Sequence, residues 1–409
     1  MILYRLFVTL AAPVILIRLL WRVLRGDESW GDLGQRLGRG VVRPEAAVIW
    51  LHAASNGELA SVRGLVRGLA QARPDVAIVV STNSVTGRAL AAGWPEVAQA
   101  RLAPLDLGPV VRGFVRRLAP DLAIVVENEL WPNRLAALAA QAVPVAVVGA
   151  RMSATSARRW ARLGRLTRRV LGAISLLSPQ DPQSGARFAG LGLAADRIAP
   201  VLDLKAGLAS GTASPMTAAR ARVVLGASTH PGDELRIARA WQAARARHPD
   251  LRLILAPRHP LRAPAILADL AGLDLHPARH STGGDPAAAL VLADTLGEMP
   301  RWYDQAGLCI IGGSFDALGG HTPYEPTAAG AAVLHGPDMA NFRAAAQALS
   351  PTGAAVSDGD DLARRMTELA GDATALGDLA AAQAQALALL RGDQDGLLAA
   401  LLATLPPTR

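Results

Sequence analysis

This 409-residue chain has one cysteine and few aromatic residues, and each of these shortages excludes a structural feature or a class of partner. A single cysteine, Cys309, excludes an intrachain disulfide, and its apolar surroundings predict a small core residue in a reducing compartment. Aromatic residues make up 4% of the chain and do not alternate with basic ones, so nucleic acid is the least expected partner. The eight histidines show no metal-ligand spacing, so neither a metal nor another cofactor is predicted.

The composition is otherwise that of a large globular protein with a basic surface. Hydrophobic residues make up 51% of the chain, which excludes a disordered protein, and the length suits two domains with separate cores. The formal net charge is +8, and arginine greatly outnumbers lysine. This balance favours an anionic membrane or a phosphorylated substrate as partner.

The amino terminus predicts a membrane anchor. An apolar run over residues 6–17 lies between Arg5 and Arg18, and further arginines follow at helical spacing. We therefore expect an anchor helix over residues 1–25, either crossing the bilayer or lying in its interface, with the rest of the chain on the cytoplasmic side. The alternative is a core helix of a soluble domain.

Alternation of strands and helices predicts an α/β fold with two doubly wound parallel sheets. The expected domains cover residues 26–205 and 206–409, and the last helix is expected to pack back on the first domain. Strands are predicted in the first half at 46–51, 76–81, 122–126, 143–148 and 173–177, and in the second half at 223–227, 251–256, 289–292, 308–311 and 332–334.

Acidic residues follow two predicted strands of the first half. Glu58 lies in HAASNGE at a strand-to-helix turn, where it is either a general base with a raised pKa or a first-turn acid favoured by the helix dipole. Glu127 and Glu129, in ENELWPN, come directly after a buried strand and must face a cleft or pair with another group. The alternative is a structural pair with Arg151 or His52.

The second half carries glycine-rich and basic turns at the ends of its strands. The sequence GGSFDALGGHTPYEP (312–326) allows close approach of the backbone to a ligand, and a helix is expected to begin near Glu325. Ser228 and its neighbours precede a helix start that suits a phosphate or a carboxylate. Arg258 offers a planar cation to a phosphate. Glu298 either completes a capping box with Thr295 or accepts a hydroxyl of the ligand.

Together these motifs resemble the 3-deoxy-D-manno-octulosonic acid (Kdo) transferases of Gram-negative lipopolysaccharide synthesis. The matching segments are HAASNGE, TNSVTG (82–87), PLDL (104–107), ENELWPN, ARMS (150–153), DLK (203–205), ASTHPGDE (227–234), PRHP (257–260), DTLGE (294–298), GGHTPYEP (319–326) and GPDMANF (336–342). The chain departs from the family pattern at Asn56, Asn128, Thr322, Tyr324 and the residues after Lys205.

The resemblance implies a GT-B fold, with two Rossmann-like domains facing a central cleft. It also implies an inverting, metal-independent glycosyltransferase on the cytoplasmic face of the inner membrane, which moves Kdo from CMP-Kdo to a lipid A precursor (lipid IVA). Glu58 takes the place of the general base, and the acids Glu127 and Glu129 together with Lys205 take places associated with the transition state. The positions that match the CMP-binding segments are Ser228, Pro257, Arg258, Gly297, Glu298, Met299, Thr322, Pro323, Tyr324 and Glu325.

Two other functions fit the same pattern. One is a GT-B glycosyltransferase that uses a different nucleotide sugar, and it predicts turnover with a UDP- or GDP-sugar. The other is a non-catalytic membrane protein of this fold that binds carbohydrate, and it predicts binding without release of CMP. The presence of Glu58, Lys205 and Arg258 favours an enzyme. The sequence predicts no particular protein partner.

Overall fold

A computed structural model describes residues 1–204, 206 and 213–405, with only the backbone of Arg391. Lys205 therefore lies outside the described residues. The chain forms two compact units, one of Met1–Gly207 with Arg391–Arg409, and one of Leu208–Leu390.

Unit 1 contains one six-stranded parallel sheet with helices on both faces. Its strands are β1 (Ala47–His52), β2 (Val76–Thr82), β3 (Val97–Leu102), β4 (Leu122–Val126), β5 (Val145–Ala150) and β6 (Leu176–Pro179). Its helices up to this point are α1 (Ile2–Leu24), α2 (Trp30–Arg36), α3 (Asn56–Ala72), α4 (Val85–Ala92), α5 (Gly108–Leu118), α6 (Pro132–Ala139), α7 (Ala154–Arg162), α8 (Arg165–Gly172) and α9 (Pro182–Gly190).

The sheet of unit 1 has the strand order β3-β2-β1-β4-β5-β6, in which every neighbouring pair is parallel. Side chains alternate across it, so that Trp50 belongs to the core on one face and Leu51 to the core on the other. Burial on both faces explains why these strands are apolar runs rather than alternating patterns.

Unit 2 repeats this architecture with a second six-stranded parallel sheet. Its strands are β7 (Val223–Thr229), β8 (Arg252–Pro257), β9 (Ala278–Arg279), β10 (Leu290–Leu292), β11 (Leu308–Ile311) and β12 (Ala332–His335), in the order β12-β11-β7-β8-β10-β9. Its helices are α10 (Ala218–Ala221), α11 (Asp233–Arg245), α12 (Ala263–Ala271), α13 (Met299–Gln305), α14 (Tyr324–Ala328), α15 (Arg343–Leu349), α16 (Gly359–Leu369) and α17 (Ala373–Ala388).

The last helix of the chain, α18 (Gln394–Leu402), packs in unit 1. Its buried side chains Leu397 and Leu401 join the core that contains Leu59 and Val62 of α3. At Gly68 of α3, a side chain would begin 3.2 Å from a methyl group of Leu398. The carboxyl-terminal helix is therefore part of the core of unit 1.

The predicted α/β class is confirmed. The differences from the prediction concern the presence or the bounds of single strands. The edge strand β3 was not predicted, because its alternating polar residues resemble a loop. The strand expected at 173–177 begins three residues later, since Ala173 ends α8. Cys309 is buried in β11, as its apolar neighbours predict.

Helix α1 is the one helix among the described residues that is long and apolar enough to cross a membrane. Only Leu19 of its side chains is buried. The predicted anchor helix is therefore present, and most of its surface lies outside the core of unit 1.

We predict that Leu401→Ala destabilises unit 1 by about 2–5 kcal/mol, because the Leu401 side chain is fully buried and its removal leaves a cavity. Leu163→Ala is the control within unit 1, since the Leu163 side chain is 49% exposed. Thermal unfolding in detergent should show a lower Tm for Leu401→Ala only. Equal Tm values for the two variants would mean that α18 does not contribute to the core.

Candidate functional site

The acidic residues of unit 1 lie where the strand order reverses. Strands β1 and β4 are neighbours, and the chain continues from them toward opposite edges of the sheet. Open α/β sheets bind their ligands at such a point, beyond the carboxyl ends of the strands. His52 ends β1, and Glu127 directly follows β4.

Glu58 lies in the first turn of α3, folded back on the turn that precedes the helix. The Ser55 side chain caps the helix by accepting a hydrogen bond from the Glu58 N–H (3.2 Å). In return, the Glu58 carboxylate accepts hydrogen bonds from the Ala54 N–H (2.8 Å) and the Ser55 hydroxyl (3.3 Å). These contacts fix the position of the carboxyl group.

The pKa of Glu58 is raised to about 7. Burial is the largest cause, and the neighbouring carboxylates of Glu127 and Glu129 raise the pKa further, against the hydrogen bond from Ala54. A carboxyl group with this pKa exchanges its proton near neutral pH, as a general base must. Glu58 therefore combines the raised pKa expected of a general base with the first-turn position expected of an acid that the helix dipole favours.

Glu129 has the opposite electrostatic environment. Its Oε2 accepts hydrogen bonds from Trp131 Nε1 (2.6 Å) and Asn83 Nδ2 (3.4 Å), and lies 3.3 Å from His52 Nε2. Burial alone would raise its pKa, but the bonds from His52 and Trp131 and the nearby Arg134 cation lower it to about 2. Glu129 is therefore ionised whenever Glu58 exchanges a proton.

A buried hydrogen-bond chain orients His52 toward Glu129. Trp50 Nε1 donates to Ser81 Oγ (2.8 Å), which lies 2.9 Å from His52 Nδ1. Burial and the Arg134 charge lower the pKa of His52 to about 4, so the ring is neutral and carries one proton. Nε2 faces the Glu129 carboxylate, and Nδ1 faces both the Ser81 hydroxyl and, at 3.1 Å, the Ser81 carbonyl oxygen.

The loop after β4 has an unusual backbone. Glu127 has a φ of 55°, in the left-handed region that residues other than glycine rarely adopt, while its N–H is bonded to the Val148 carbonyl oxygen (2.9 Å). Asn128 Oδ1 accepts from the Arg151 N–H (3.2 Å). Of the predicted alternative pairings, the one with His52 is observed for Glu129.

The glycine-rich loop of unit 2 occupies the corresponding place in the second sheet. It follows β11 beside the end of β7, where the strand order reverses again. Ser228 in β7 has a φ of 56°, and its carbonyl oxygen would lie 2.4 Å from a Cβ at position 312. Only glycine fits at Gly312 for this reason. By strand order β7 corresponds to β1 and β11 to β4, so the loop that begins at Gly312 corresponds to the loop that begins at Glu127.

The predicted anion cradle at the start of α11 is partly filled by the protein itself. The buried carboxylate of Asp233 accepts hydrogen bonds from the Gly313 N–H (2.7 Å) and the His230 N–H (2.9 Å). Burial raises the pKa of Asp233. These two N–H groups hold the glycine loop against α11 and are not open to a ligand.

A pair of histidines borders the same loop. The rings of His230 and His321 stack with centroids 5.1 Å apart, and their Nε2 atoms are 2.8 Å apart. Burial and the charges of His230 and Arg258 lower the pKa of His321 to about 4, so the pair is neutral at pH 7. Arg258 itself, after Pro257 at the end of β8, is exposed and presents its guanidinium to solvent.

The other sequence-predicted residues lie in two further loops of unit 2. Glu298 precedes α13 and pairs with His280 (3.1 Å). The expected capping box is wrong: Thr295 does donate to the Glu298 carboxylate, but α13 begins only at Met299, so Thr295 caps no helix. Gly297 has a φ of 85°, which suits a glycine.

The HTPYEP segment begins α14 one residue before the expected Glu325. The Tyr303 hydroxyl donates to Glu325 Oε2 (3.3 Å). The Tyr324 side chain is buried against Phe342, and Pro323 is buried as well, while Thr322 is only partly covered. Among the described residues, no group of three or more His, Cys, Asp or Glu side chains is placed to hold a metal ion.

Sequence reasoning missed the residues that support the site from neighbouring elements. Ser81 lies next to His52, and Asn83 next to Glu129, only because β2 is the neighbour of β1. Tyr303 reaches Glu325 from α13. The sequence offers one indication of these supporting residues, the TNSVTG motif, which contains Asn83 and to which no role is assigned.

Comparison with known proteins identifies the family. The family described as 3-deoxy-D-manno-octulosonic-acid transferase (kdotransferase) matches residues 31–208. The 3-deoxy-D-manno-octulosonic acid transferase of Bordetella pertussis is 36% identical over 367 residues, which cover 84% of this chain and 85% of that protein. The chain belongs to the Kdo transferase family. It is therefore a glycosyltransferase, as the motifs predicted.

Solved structures confirm the GT-B fold of this Kdo transferase. Anabaena Alr3699/HepE, in complex with UDP and glucose, matches with a TM-score of 0.58 at 14% identity, over 88% of this chain and 100% of that one. A glycosyltransferase from Rickettsia africae matches with a TM-score of 0.57 at 9% identity, over 88% and 98%. At these identities the likeness shows the fold alone.

We predict that the stability of Glu58→Gln, relative to that of the unsubstituted protein, is higher at pH 8 than at pH 5. The pKa of Glu58 is about 7 in the folded chain and near 4.5 when unfolded, so the folded state binds the extra proton. Stability is therefore lost as pH rises from 4.5 to 7, and glutamine removes this loss. Glu45→Gln, at an exposed position before β1, is the control. A Tm difference between Glu58→Gln and the unsubstituted protein that is the same at both pH values would contradict the raised pKa.

Proposed function

We propose that this protein transfers Kdo from CMP-Kdo to a lipid A precursor such as lipid IVA and releases CMP. Unit 1 supplies the catalytic carboxylates and the acceptor side, and unit 2 binds the nucleotide sugar. Membership of the Kdo transferase family supports this assignment.

The proposal is supported chiefly by the difference in pKa between two neighbouring carboxyl groups. The pKa of Glu58 is about 7 and that of Glu129 about 2, so only Glu58 exchanges a proton near neutrality. Glu58 takes the proton of the acceptor hydroxyl as its oxygen attacks the anomeric carbon of Kdo. The bond from that carbon to the CMP phosphate oxygen breaks, and CMP leaves with the electron pair. A single displacement of this kind inverts the anomeric centre.

The ionised Glu129 and the acidic loop favour positive charge that develops on the sugar ring in this step. Glu127 lies in the same loop, and its electrostatic effect on Glu58 shows that the two carboxylates are near each other. The protein provides proton transfer and charge stabilisation from its own side chains, and we propose that the reaction requires no metal ion.

Groups at the carboxyl ends of three strands of unit 2 support binding of CMP. Ser228 is the next-to-last residue of β7, Pro257 and Arg258 lie at the end of β8, and the glycine-rich loop follows β11. These strands are neighbours in the sheet. Arg258 would bind the phosphate and stabilise it as a leaving group. The carboxylates of Glu298 and Glu325 would accept ribose hydroxyls.

Lys205 is the only lysine of the chain, in which the other basic residues of the 42 are all arginine. A sequence that uses arginine at every other basic position has kept lysine in the DLK motif. An ammonium group is a compact charge on a flexible chain, and a planar guanidinium does not reproduce it. This supports a specific role for Lys205 in stabilising the transition state.

Helix α1 supports attachment to the inner membrane. Most of its exposed side chains are apolar, and α1 contains arginines but no acidic residue. Arginines follow the apolar run, which favours the cytoplasmic side for the two units.

The reaction is tested by measuring CMP release from CMP-Kdo by the detergent-solubilised protein, with and without a lipid A precursor, and by mass spectrometry of the lipid. Acceptor-dependent release with an added Kdo mass is expected. Turnover with a UDP-sugar but not with CMP-Kdo would keep the fold and replace the donor. Binding of CMP-Kdo without release would indicate a carbohydrate-binding protein.

We predict that Glu58→Gln lowers the rate of transfer at least about 100-fold, as expected for loss of a general base, with little change in CMP affinity. In the unsubstituted protein, kcat/KM should rise with pH through about 7, because only ionised Glu58 accepts the proton. Steady-state kinetics and calorimetric titration with CMP measure the two effects. A parallel loss of CMP affinity would make Glu58 a structural residue.

We predict that Lys205→Arg abolishes most of the transfer activity although the charge is kept. The expected effect is on kcat, with KM for CMP-Kdo little changed. Arg239→Lys, on an exposed position of α11, is the reverse substitution and serves as control. Full activity of Lys205→Arg would remove Lys205 from the mechanism.

A further inference from the structure

Helix α1 has two different faces along its whole length. Side chains at helical spacing from Tyr4 to Arg22 are partly or fully covered: Tyr4, Val8, Ala11, Ile15, Leu19 and Arg22. The opposite face, which we call the lipid face, consists of exposed apolar residues: Ile2, Leu3, Leu6, Phe7, Leu10, Val14, Ile17, Leu20, Trp21 and Leu24.

Both ends of α1 are attached to unit 1 by polar contacts. Near its start, the Tyr4 hydroxyl donates to Asp106 Oδ2 (2.7 Å) and Arg5 Nε donates to Asn133 Oδ1 (3.2 Å). Near its end, Arg22 pairs with the buried Glu28 (3.0 Å).

Glu28 in turn accepts two hydrogen bonds from the buried Arg36 (2.9 and 2.7 Å). The carboxyl-terminal attachment of α1 therefore reaches the interior of unit 1. From Tyr4 to Arg22 the helix rises about 27 Å, close to the thickness of the hydrocarbon layer, about 30 Å. A helix that crossed a bilayer would carry Tyr4 to the side opposite Arg22, where it could not bond to the same unit.

The composition of α1 favours a lipid surface as the partner of the lipid face. Arg18 and Arg25 are exposed, and the guanidinium of Arg25 lies 4.2 Å from the ring centre of the exposed Trp21. A second exposed tryptophan, Trp30, begins α2. Arginines and tryptophans beside an apolar stripe are typical of helices that lie in the interface of anionic membranes.

We propose that α1 lies in the plane of the membrane, with its lipid face in the acyl region of an anionic phospholipid bilayer, and does not cross it. This inference rests on the membrane attachment proposed above and specifies its geometry. The partner is the lipid bilayer itself.

The position of α1 also brings the bilayer close to the acidic loop. Asp106, which bonds Tyr4, caps α6 by accepting from the N–H groups of Asn133 (3.0 Å) and Arg134 (2.8 Å). Helix α6 directly follows the loop that contains Glu129. A lipid-linked acceptor beside α1 would thus meet the catalytic carboxylates with its acyl chains still in the membrane.

The test uses single cysteines labelled with the fluorophore NBD in vesicles of phosphatidylcholine and phosphatidylglycerol. Cys309 is buried, so the unsubstituted protein is the blank. Labels at Leu3, Leu10, Ile17 and Leu24 should all lie at one shallow depth when quenched by lipids spin-labelled at different depths. Labels at Val8 and Ile15 should show no quenching by lipid.

A depth that increases to the middle of the helix and decreases again, with Val8 and Ile15 quenched as well, would show a spanning helix and overturn this inference alone. Failure of the protein to bind the vesicles would overturn the membrane attachment too, while transfer activity in detergent would still report on the proposed reaction.

A second measurement does not require substitutions within α1. A cysteine joined ahead of Met1 and one at the exposed Glu45 are labelled with a membrane-impermeant maleimide in sealed vesicles. Equal labelled fractions are expected, because both cysteines lie on the same side. Complementary fractions would place the amino terminus across the bilayer and contradict the in-plane helix.

Discussion

The proposed reaction depends on the different protonation of two carboxyl groups that lie where the strand order of the unit-1 sheet reverses. Glu58 and Glu129 follow β1 and β4, and like charges so close cannot both be ionised without cost. Glu129 has three polar neighbours and the Arg134 cation, whereas Glu58 accepts two hydrogen bonds and lies beside two other carboxylates. The pKa values separate accordingly, and the separation defines which group exchanges a proton.

The surroundings of Glu129 explain why its neighbours are buried polar residues. The chain from Trp50 through Ser81 and His52 places the His52 ring nitrogen Nε2 beside the Glu129 carboxylate. The unit-2 loop is held in a related way, because Asp233 occupies the N–H groups that fix the glycine turn. In both units, the conformation of the loop is set by hydrogen bonds within the protein before any ligand binds.

Most of the fold could be predicted from the sequence, because strands buried on both faces are apolar runs separated by helical segments. The strand β3 could not, since it lies at the edge of the sheet and its polar residues lack that pattern. Glu58 and Glu129 could be identified by their place after apolar strands. The supporting contacts of Asn83, Ser81 and Tyr303 could not, because they depend on which strands and helices become neighbours. The capping box at Thr295 failed for a related reason: its spacing was correct, but the helix begins later.

The separation of the pKa values of Glu58 and Glu129 can be measured by titration of their carboxyl groups. The full-length protein in detergent micelles would carry glutamate labelled with ¹³C at the side-chain carboxyl carbon, with Glu58→Gln and Glu129→Gln used to assign the resonances. The account predicts that the Glu58 resonance titrates near pH 7, while the Glu129 resonance does not change between pH 8 and pH 4. Titration of both resonances near the ordinary value of 4.5 would contradict it.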